Sequence, residues 1–300
     1  MRKLFQLALM VTLTVGTTMM ASCSKDNSDE PEQKMVNGTD VNPRNVFPLG
    51  LPKKISEKVL TLNEKGQLIQ LAEPNDDERI TFEYKDVALG STQAPQVILT
   101  ETDEPDKHVY ELYLNRDGFV THAKETHYRN DHIAGKALNR DGFVTHAKET
   151  HYRNDHIAGK ATWDFAYNAD NQLKDVKCSA DKKHIVLEYQ NGNVVKTTTT
   201  TVVKPTEVTT ITYATASIRP IENKTGVMLF GATLDADFDN LEAAYYAGLL
   251  GKPSKNLPLQ SEKSGNKATS KWTLDSNGNP TALDHSFSNS SERFRTSFTW

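Results

Sequence analysis

Two cysteines, nine histidines and a run of alternating aspartates are the residues of this 300-residue chain best suited to do chemistry. His122, His127 and His132 stand five apart. On a strand an odd spacing sends neighbouring members to opposite faces, which argues against a local metal site. A cross-strand pairing such as His122 beside His146 stays open. Asp235, Asp237 and Asp239 resemble a calcium loop only superficially, because no Gly and terminal Glu follow at the required places. Cys178, in VKCSA, reads as a small strand residue. The sequence contains no Gly-rich phosphate loop with its Lys, no His-Glu-x-x-His, no Gly-x-Ser-x-Gly and no Cys pair. The expectation is therefore a non-enzyme without cofactor or metal. A net charge of −4 with no basic stripe makes nucleic acid an unsuitable partner.

Cys23 is the exception. Met1-Arg2-Lys3 is a basic start, Leu4–Met20 is mostly apolar, and Ala21-Ser22 are small residues directly before Cys23. This pattern is a bacterial secretory signal, and its end resembles a lipobox, with Met20 where Leu is commonest. Residues 1–22 are read as signal peptide and Cys23 as the lipid attachment site. The lipid makes the membrane a partner, and Cys178 is then the only free thiol, so no intramolecular disulfide forms. Residues 23–50 are read as a flexible tether: SKDNSDEPE is acidic and cannot bury apolar surface. Its start resembles the export signal that sends Bacteroidetes-type lipoproteins to the outer face of the outer membrane. The expected location is the outer membrane, lipid-anchored, at the cell surface.

Residues 51–300 are expected to form a single β-rich domain. Val109–Tyr128 carries its organising unit: strand, Asn115-Arg116-Asp117-Gly118 turn, strand. Asp-Gly between alternating runs is a strong hairpin signal, and Gly118 supplies the positive φ that such a turn needs. Related turns stand at Asn63–Gly66, Asn168–Asn171, Gln190–Asn193 and Ser276–Pro280, which predicts an antiparallel meander. Residues 114–137 recur without change as 138–161. A block of 24 residues with two turns is expected to add two strands and preserve the alternation of every later strand.

One segment reads differently. Phe238, Leu241, Tyr245 and Leu249 fall at helical spacing, Asp237 or Asp239 caps the start, and Gly251 and Pro253 give the stop. A helix is predicted over 239–250. Arg293–Trp300 returns to strand, with Phe294, Thr296, Phe298 and Trp300 on one face. This ending resembles the assembly signal of outer-membrane barrels.

Signal, lipobox, acidic tether, Asn/Gly hairpins, the helix and GLLGKPSKNLP (Gly248–Pro258) together make the chain resemble a Bacteroidetes lipoprotein family of unknown function, described as having a porin-like fold. The resemblance covers about Leu51–Trp300. It implies a mainly β fold: a curved sheet or a half-closed or closed barrel with one helix. It brings no activity. Charged residues interrupt both registers of most strands, unlike a lipid-facing wall. The expected function is binding of a glycan, peptide or apolar molecule in a concave site, with Tyr245, Tyr246, Trp163 and Trp272 as candidate contacts. Core packing competes for each of them. The alternative is a structural subunit of an outer-membrane complex.

Overall fold

The computed structural model describes residues 41–300 apart from 75–77, 104, 131–134, 139–143 and 149–154. The residues read as signal peptide, Cys23 and the part of the expected tether up to residue 40 lie outside the described residues. The strands are β1 (Lys54–Ile55), β2 (Lys58–Leu62), β3 (Leu68–Ala72), β4 (Arg79–Tyr84), β5 (Val97–Asp103), β6 (Asp106–Leu114) and β7 (Val120–Asn130). They continue with β8 (Gly135–Leu138), β9 (Val144–Lys148), β10 (Asp155–Tyr167), β11 (Leu173–Cys178), β12 (His184–Gln190), β13 (Asn193–Thr200) and β14 (Glu207–Thr212). The last are β15 (Ile221–Glu222), β16 (Asn256–Leu257), β17 (Gln260–Lys263), β18 (Asn266–Leu274), β19 (Pro280–Phe287) and β20 (Arg293–Thr299).

Sixteen of these form a closed antiparallel barrel in chain order, without β8, β9, β15 and β16. β20 returns to β1 and closes it, with Ile55 opposite Phe298. Closure removes the two edges that an open meander would expose.

Alternation decides which way each side chain points. Leu60, Phe82, Leu99, Leu112, Trp163, Phe165, Val176, Ile185, Leu187 and Ile211 are buried and share the inward register. The opposite register carries cross-strand charge pairs on the outer wall: Glu188 with Lys196 at 2.5 Å, Asp284 with Arg295 at 2.7 Å, His122 with Asp164 at 2.8 Å. The barrel is apolar within and charged without. The aromatic face of β20 also points inward: Phe298 is buried and stacks on Trp272 at 6.3 Å. Its resemblance to an outer-membrane assembly signal therefore does not extend to an outward, lipid-facing array.

The meander puts alternate connections at the same end. One end carries the tight turns. In four of them the first side chain accepts two backbone N–H bonds: Asn63 from Lys65 and Gln67, Asn115 from Asp117 and Phe119, Asn168 from Asp170 and Gln172, Asp275 from Asn277 and Asn279. These bonds make each turn an Asx motif. From the same end the long β14–β17 connection enters the barrel as a plug. It carries α1 (Phe230–Leu234), a 3-10 turn (Asp239–Glu242) and α2 (Ala243–Tyr246). Phe230, Phe238, Leu241, Tyr245, Leu249 and Leu250 are almost wholly buried.

The helix expected over 239–250 is thus shorter and begins as a 3-10 turn. Gly248, at φ +79, turns the chain out of it, and the Leu249 N–H bonds back to the Ala244 carbonyl at 3.0 Å. The plug then seals the turn end through bonds from Val120 N–H to the Leu249 carbonyl and from Lys252 N–H to the Asn171 carbonyl. Gly251, at φ +82, lies where a Cβ would meet Asn171 O at 2.7 Å and the Tyr167 ring at 2.9 Å.

Two further expectations need correction. The folded part does not start at residue 51. Val46 and Phe47 are buried, and Phe47 stacks on Tyr246 at 5.7 Å, so residues 41–50 belong to the seal and not to a tether. The repeat does not add two strands to the meander. Among the described residues β8 and β9 pair only with each other, and β7 pairs directly with β10. A barrel already closed by sixteen strands cannot accept two more without changing its circumference and the fit around the plug.

Candidate ligand cleft at the barrel mouth

The plug reaches the other end of the barrel with residues 231–242 and does not fill it. A cavity of about 480 Å³ separates Gly231, Ala232 and Asp235 of the plug from the inner wall of β14 and β17–β20. The wall side places Thr209, Ser261, Lys263, Leu283, His285, Phe287, Phe294 and Thr296 in one inward register, strand against strand. A second cavity, of about 370 Å³, shares Thr296 and continues past Glu242 and Tyr246 to Leu71, Ile80 and Glu101.

Phe287 and Phe294 meet edge to face at 5.9 Å, and Phe294 is 57% exposed. An exposed aromatic beside a cavity leaves apolar area uncovered, which an apolar ligand surface can bury. His285 stands edge-on to Phe287 at 4.9 Å and is almost completely buried. Its Nδ1 lies 3.0 Å from Ser270 Oγ, and its Nε2 has no partner. Burial lowers its pKa, so the imidazole is neutral. A Ser–His contact invites comparison with an activated nucleophile, but a catalytic histidine is oriented through its second nitrogen. Here that nitrogen is unpartnered, and Ser270 is itself buried. The pair fits a packed wall.

The charges in the cleft are matched. Lys263 Nζ lies 3.0 Å from Asp235 and 3.4 Å from Glu207. Burial is the largest influence on this ammonium and opposes its charge, yet the two carboxylates hold its pKa above the ordinary value. Asp235 also accepts a 2.6 Å bond from Thr209 Oγ1. Lys267, at the rim, faces Glu262 at 3.6 Å. Deeper in the mouth, the Glu242 carboxylate accepts N–H bonds from Phe230 at 2.8 Å and Gly231 at 3.3 Å, and burial pushes its pKa up to about 7. Asn240 donates to Glu101.

The four aromatic residues singled out from sequence serve packing. Tyr245 and Tyr246 are buried in the plug, and their hydroxyls donate to the carbonyls of Gly226 and Met228 at 2.6 and 2.8 Å. Trp163 is buried in the wall and donates to Glu125 at 2.8 Å. Trp272 donates to the Pro258 carbonyl at 2.7 Å. Only Tyr246 borders a mouth cavity, the one lined by Glu242 and Glu101. Of the residues that do line the larger cavity, Phe294 and Thr296 stand on the one face read for the last strand and Leu283, His285 and Phe287 alternate, a pattern that any inward register shows.

Among the described residues, His108, His122 and His127 meet neighbours that lie far from them in sequence. His108 stacks on His127 at 4.2 Å, with His108 bonded to Glu125 and His127 to Asp106, each at 2.9 Å. His122 pairs with Asp164. Among the described residues no cluster of His, Cys, Asp and Glu is arranged to hold a metal ion. Asp235, Asp237 and Asp239 diverge: Asp235 turns to Thr209 and Lys263, while Asp239 faces Lys183 at 3.4 Å.

A family model described as a domain of unknown function (DUF4595) with porin-like fold matches residues 60–282. No curated protein matches the chain. Among solved structures, a porin-like protein from Bacteroides uniformis is similar at 19% identity and a TM-score of 0.54, covering 81% of this chain and 88% of that one. A porin-like protein from Bacteroides vulgatus is similar at 11% identity and a TM-score of 0.47, covering 83% and 98%. The first of these likenesses is one of fold.

Proposed function

We propose, starting from the fact that the chain belongs to the DUF4595 family of porin-like domains, that it is the head of a surface-exposed or outer-membrane-anchored lipoprotein. Its barrel binds a small ligand in the mouth cleft between plug and wall and catalyses no reaction. The lipid sits on Cys23. The observation that carries the binding reading is the 480 Å³ cavity bordered by the exposed Phe294. Concave sites of this size with an apolar wall and a few polar groups are where small molecules bind.

The matched charges narrow the ligand. Lys263 already answers Asp235 and Glu207, and His285 is neutral. A charged ligand would break an existing pair or remain uncompensated in a partly dry site. An uncharged molecule with an apolar body and one or two hydroxyl or carbonyl groups fits: its body lies against Phe287 and Phe294, and its polar groups meet Thr209 and Ser261.

The test is native mass spectrometry of residues 23–300 carrying Cys23→Ser, after incubation with an extract of the organism's surroundings. A reproducible added mass is expected with the parent protein and is expected to be lost or weakened at least tenfold in Phe294→Ala, the effect of about 1.4 kcal/mol of lost contact. A bare protein mass, or an adduct indifferent to Phe294→Ala, would overturn the cleft. Metabolic labelling with a fatty acid is expected to mark the full chain and to leave Cys23→Ala unmarked. Labelling of both would remove the lipid anchor.

A further inference from the structure

The barrel uses one copy of the 24-residue repeat and sets a length equal to the other aside. β7 ends at Asn130, β10 begins at Asp155, and the two residues are partners in the ladder. The span between them, 131–154, equals one repeat in length. Among the described residues its strands β8 and β9 pair only with each other. The hairpin therefore leaves the barrel at the mouth end.

Which copy enters the barrel is not decided by sequence. Residues 138–161 match 114–137 at every position. Val144–Asn154 can therefore replace Val120–Asn130 side chain for side chain. Ala147 would take the place of Ala123 between Leu112 and Trp163, Glu149 that of Glu125 beside His108 and Trp163, and His151 that of His127 beside Asp106. Asn154 and Asp155 would form a two-residue turn into β10. The residues set aside would be 117–140, leaving the barrel at the turn Asn115–Gly118, where Arg116 and Asp117 are exposed. The closure cost of the extra loop depends on its length, which is unchanged.

We infer that the two copies are interchangeable as the seventh barrel strand, so that the chain has two barrels of the same wall, with the spare hairpin at the mouth in one and at the sealed end in the other. One copy is a spare for the other. Anything that binds the hairpin at one end draws the population toward that arrangement.

Ala123→Glu tests this. Ala123 is wholly buried and faces inward between Leu112 and Trp163, so a glutamate there places an unpaired carboxylate in the apolar wall. If the copies are interchangeable, the full chain with Ala123→Glu keeps its melting temperature within about 5 °C of the parent, a loss of about 1–2 kcal/mol. The double variant Ala123→Glu/Ala147→Glu loses the cooperative transition, as does Ala123→Glu in a chain from which one copy has been deleted. Deleting either copy gives the same sequence. Limited trypsin digestion locates the hairpin. In the parent, cleavage is expected after Lys136 and Lys148, which lie in β8 and β9 outside the barrel, because an isolated two-stranded hairpin is marginally stable, and after Lys124 in the share of molecules that hold the second arrangement. In Ala123→Glu, cleavage is expected after Lys124 and Lys136, with Lys148 newly protected. A full-length Ala123→Glu protein as destabilised as the double variant overturns the inference. So does one that folds but still cuts at Lys148 and not at Lys124.

Discussion

Glu242 is the side chain whose environment most directly sets a pH dependence. It is the brace of the plug, joining the 3-10 turn to the start of α1 through the N–H groups of Phe230 and Gly231. Burial raises its pKa from 4.5 to about 7 against those two bonds. The folded state therefore holds this proton more tightly than the unfolded chain. The resulting stability is fully present below pH 4.5 and is lost as pH rises through 7. Guanidinium unfolding midpoints of the parent are expected to fall between pH 5 and pH 8, with a shallower fall in Glu242→Gln, which cannot ionise. An equal slope in both proteins would assign the pH dependence to other groups. His108 acts over an overlapping range. Its bond to Glu125 raises its pKa above 6.5, so its contribution too is present at low pH and lost as pH rises. The comparison with Glu242→Gln isolates the carboxylate from this imidazole.

At the scale of elements, the seal depends on how closely the plug's return leg passes the turns. Gly251 combines a positive φ with a Cβ position occupied by Asn171 O and the Tyr167 ring. Gly265, in the β17–β18 turn, has φ +80 and open space around it. Gly251→Ala is expected to cost about 2–4 kcal/mol, and Gly265→Ala about 1–2 kcal/mol, because only the first adds a collision to the left-handed strain. Chemical denaturation of both variants checks the difference, and equal losses would reduce the effect at Gly251 to backbone strain alone. This close approach explains the GLLGKP segment, visible in the sequence only as a helix stop and a shared motif. The turns were legible because each is coded within five residues: Asn115 supplies its own acceptor and Gly118 its own φ. Helical spacing over 239–250 does not become a full helix, because the segment starts as a 3-10 turn and Gly248, at φ +79, turns the chain out of it. Val46 and Phe47 carry no sequence signal because two apolar residues between Asn45 and Pro48 have no periodicity, and Phe47 packs on Tyr246, 199 positions away. The mouth cleft was illegible for the same reason: its wall is assembled from five strands and a plug.

The molecule as a whole inverts the arrangement of a membrane channel. Transmembrane barrels present an apolar band to lipid and a polar lumen to water, and sixteen strands suffice for an aqueous channel. Here the lumen holds Phe230, Phe238, Tyr245 and Leu249 packed against an apolar wall, while Lys196, Glu188, Arg295 and Asp284 stand on the outside. Each outward Lys or Arg brought to the bilayer midplane would cost about 2–4 kcal/mol, and several strands carry one. Removing the plug would not make a pore, because the exposed inner wall would be apolar and its largest side chains would lose their packing partners. Under the proposed reading, the lipid on Cys23 and not the wall would hold such a barrel at a membrane. Two measurements follow. The protein with Cys23→Ser is expected to remain in the aqueous phase on detergent partition and to give no single-channel steps in a planar bilayer. Steps of defined conductance would mean that the plug leaves and the wall inverts its exposure, which would refute both the anchored-barrel reading and the placement of the ligand cleft beside the plug.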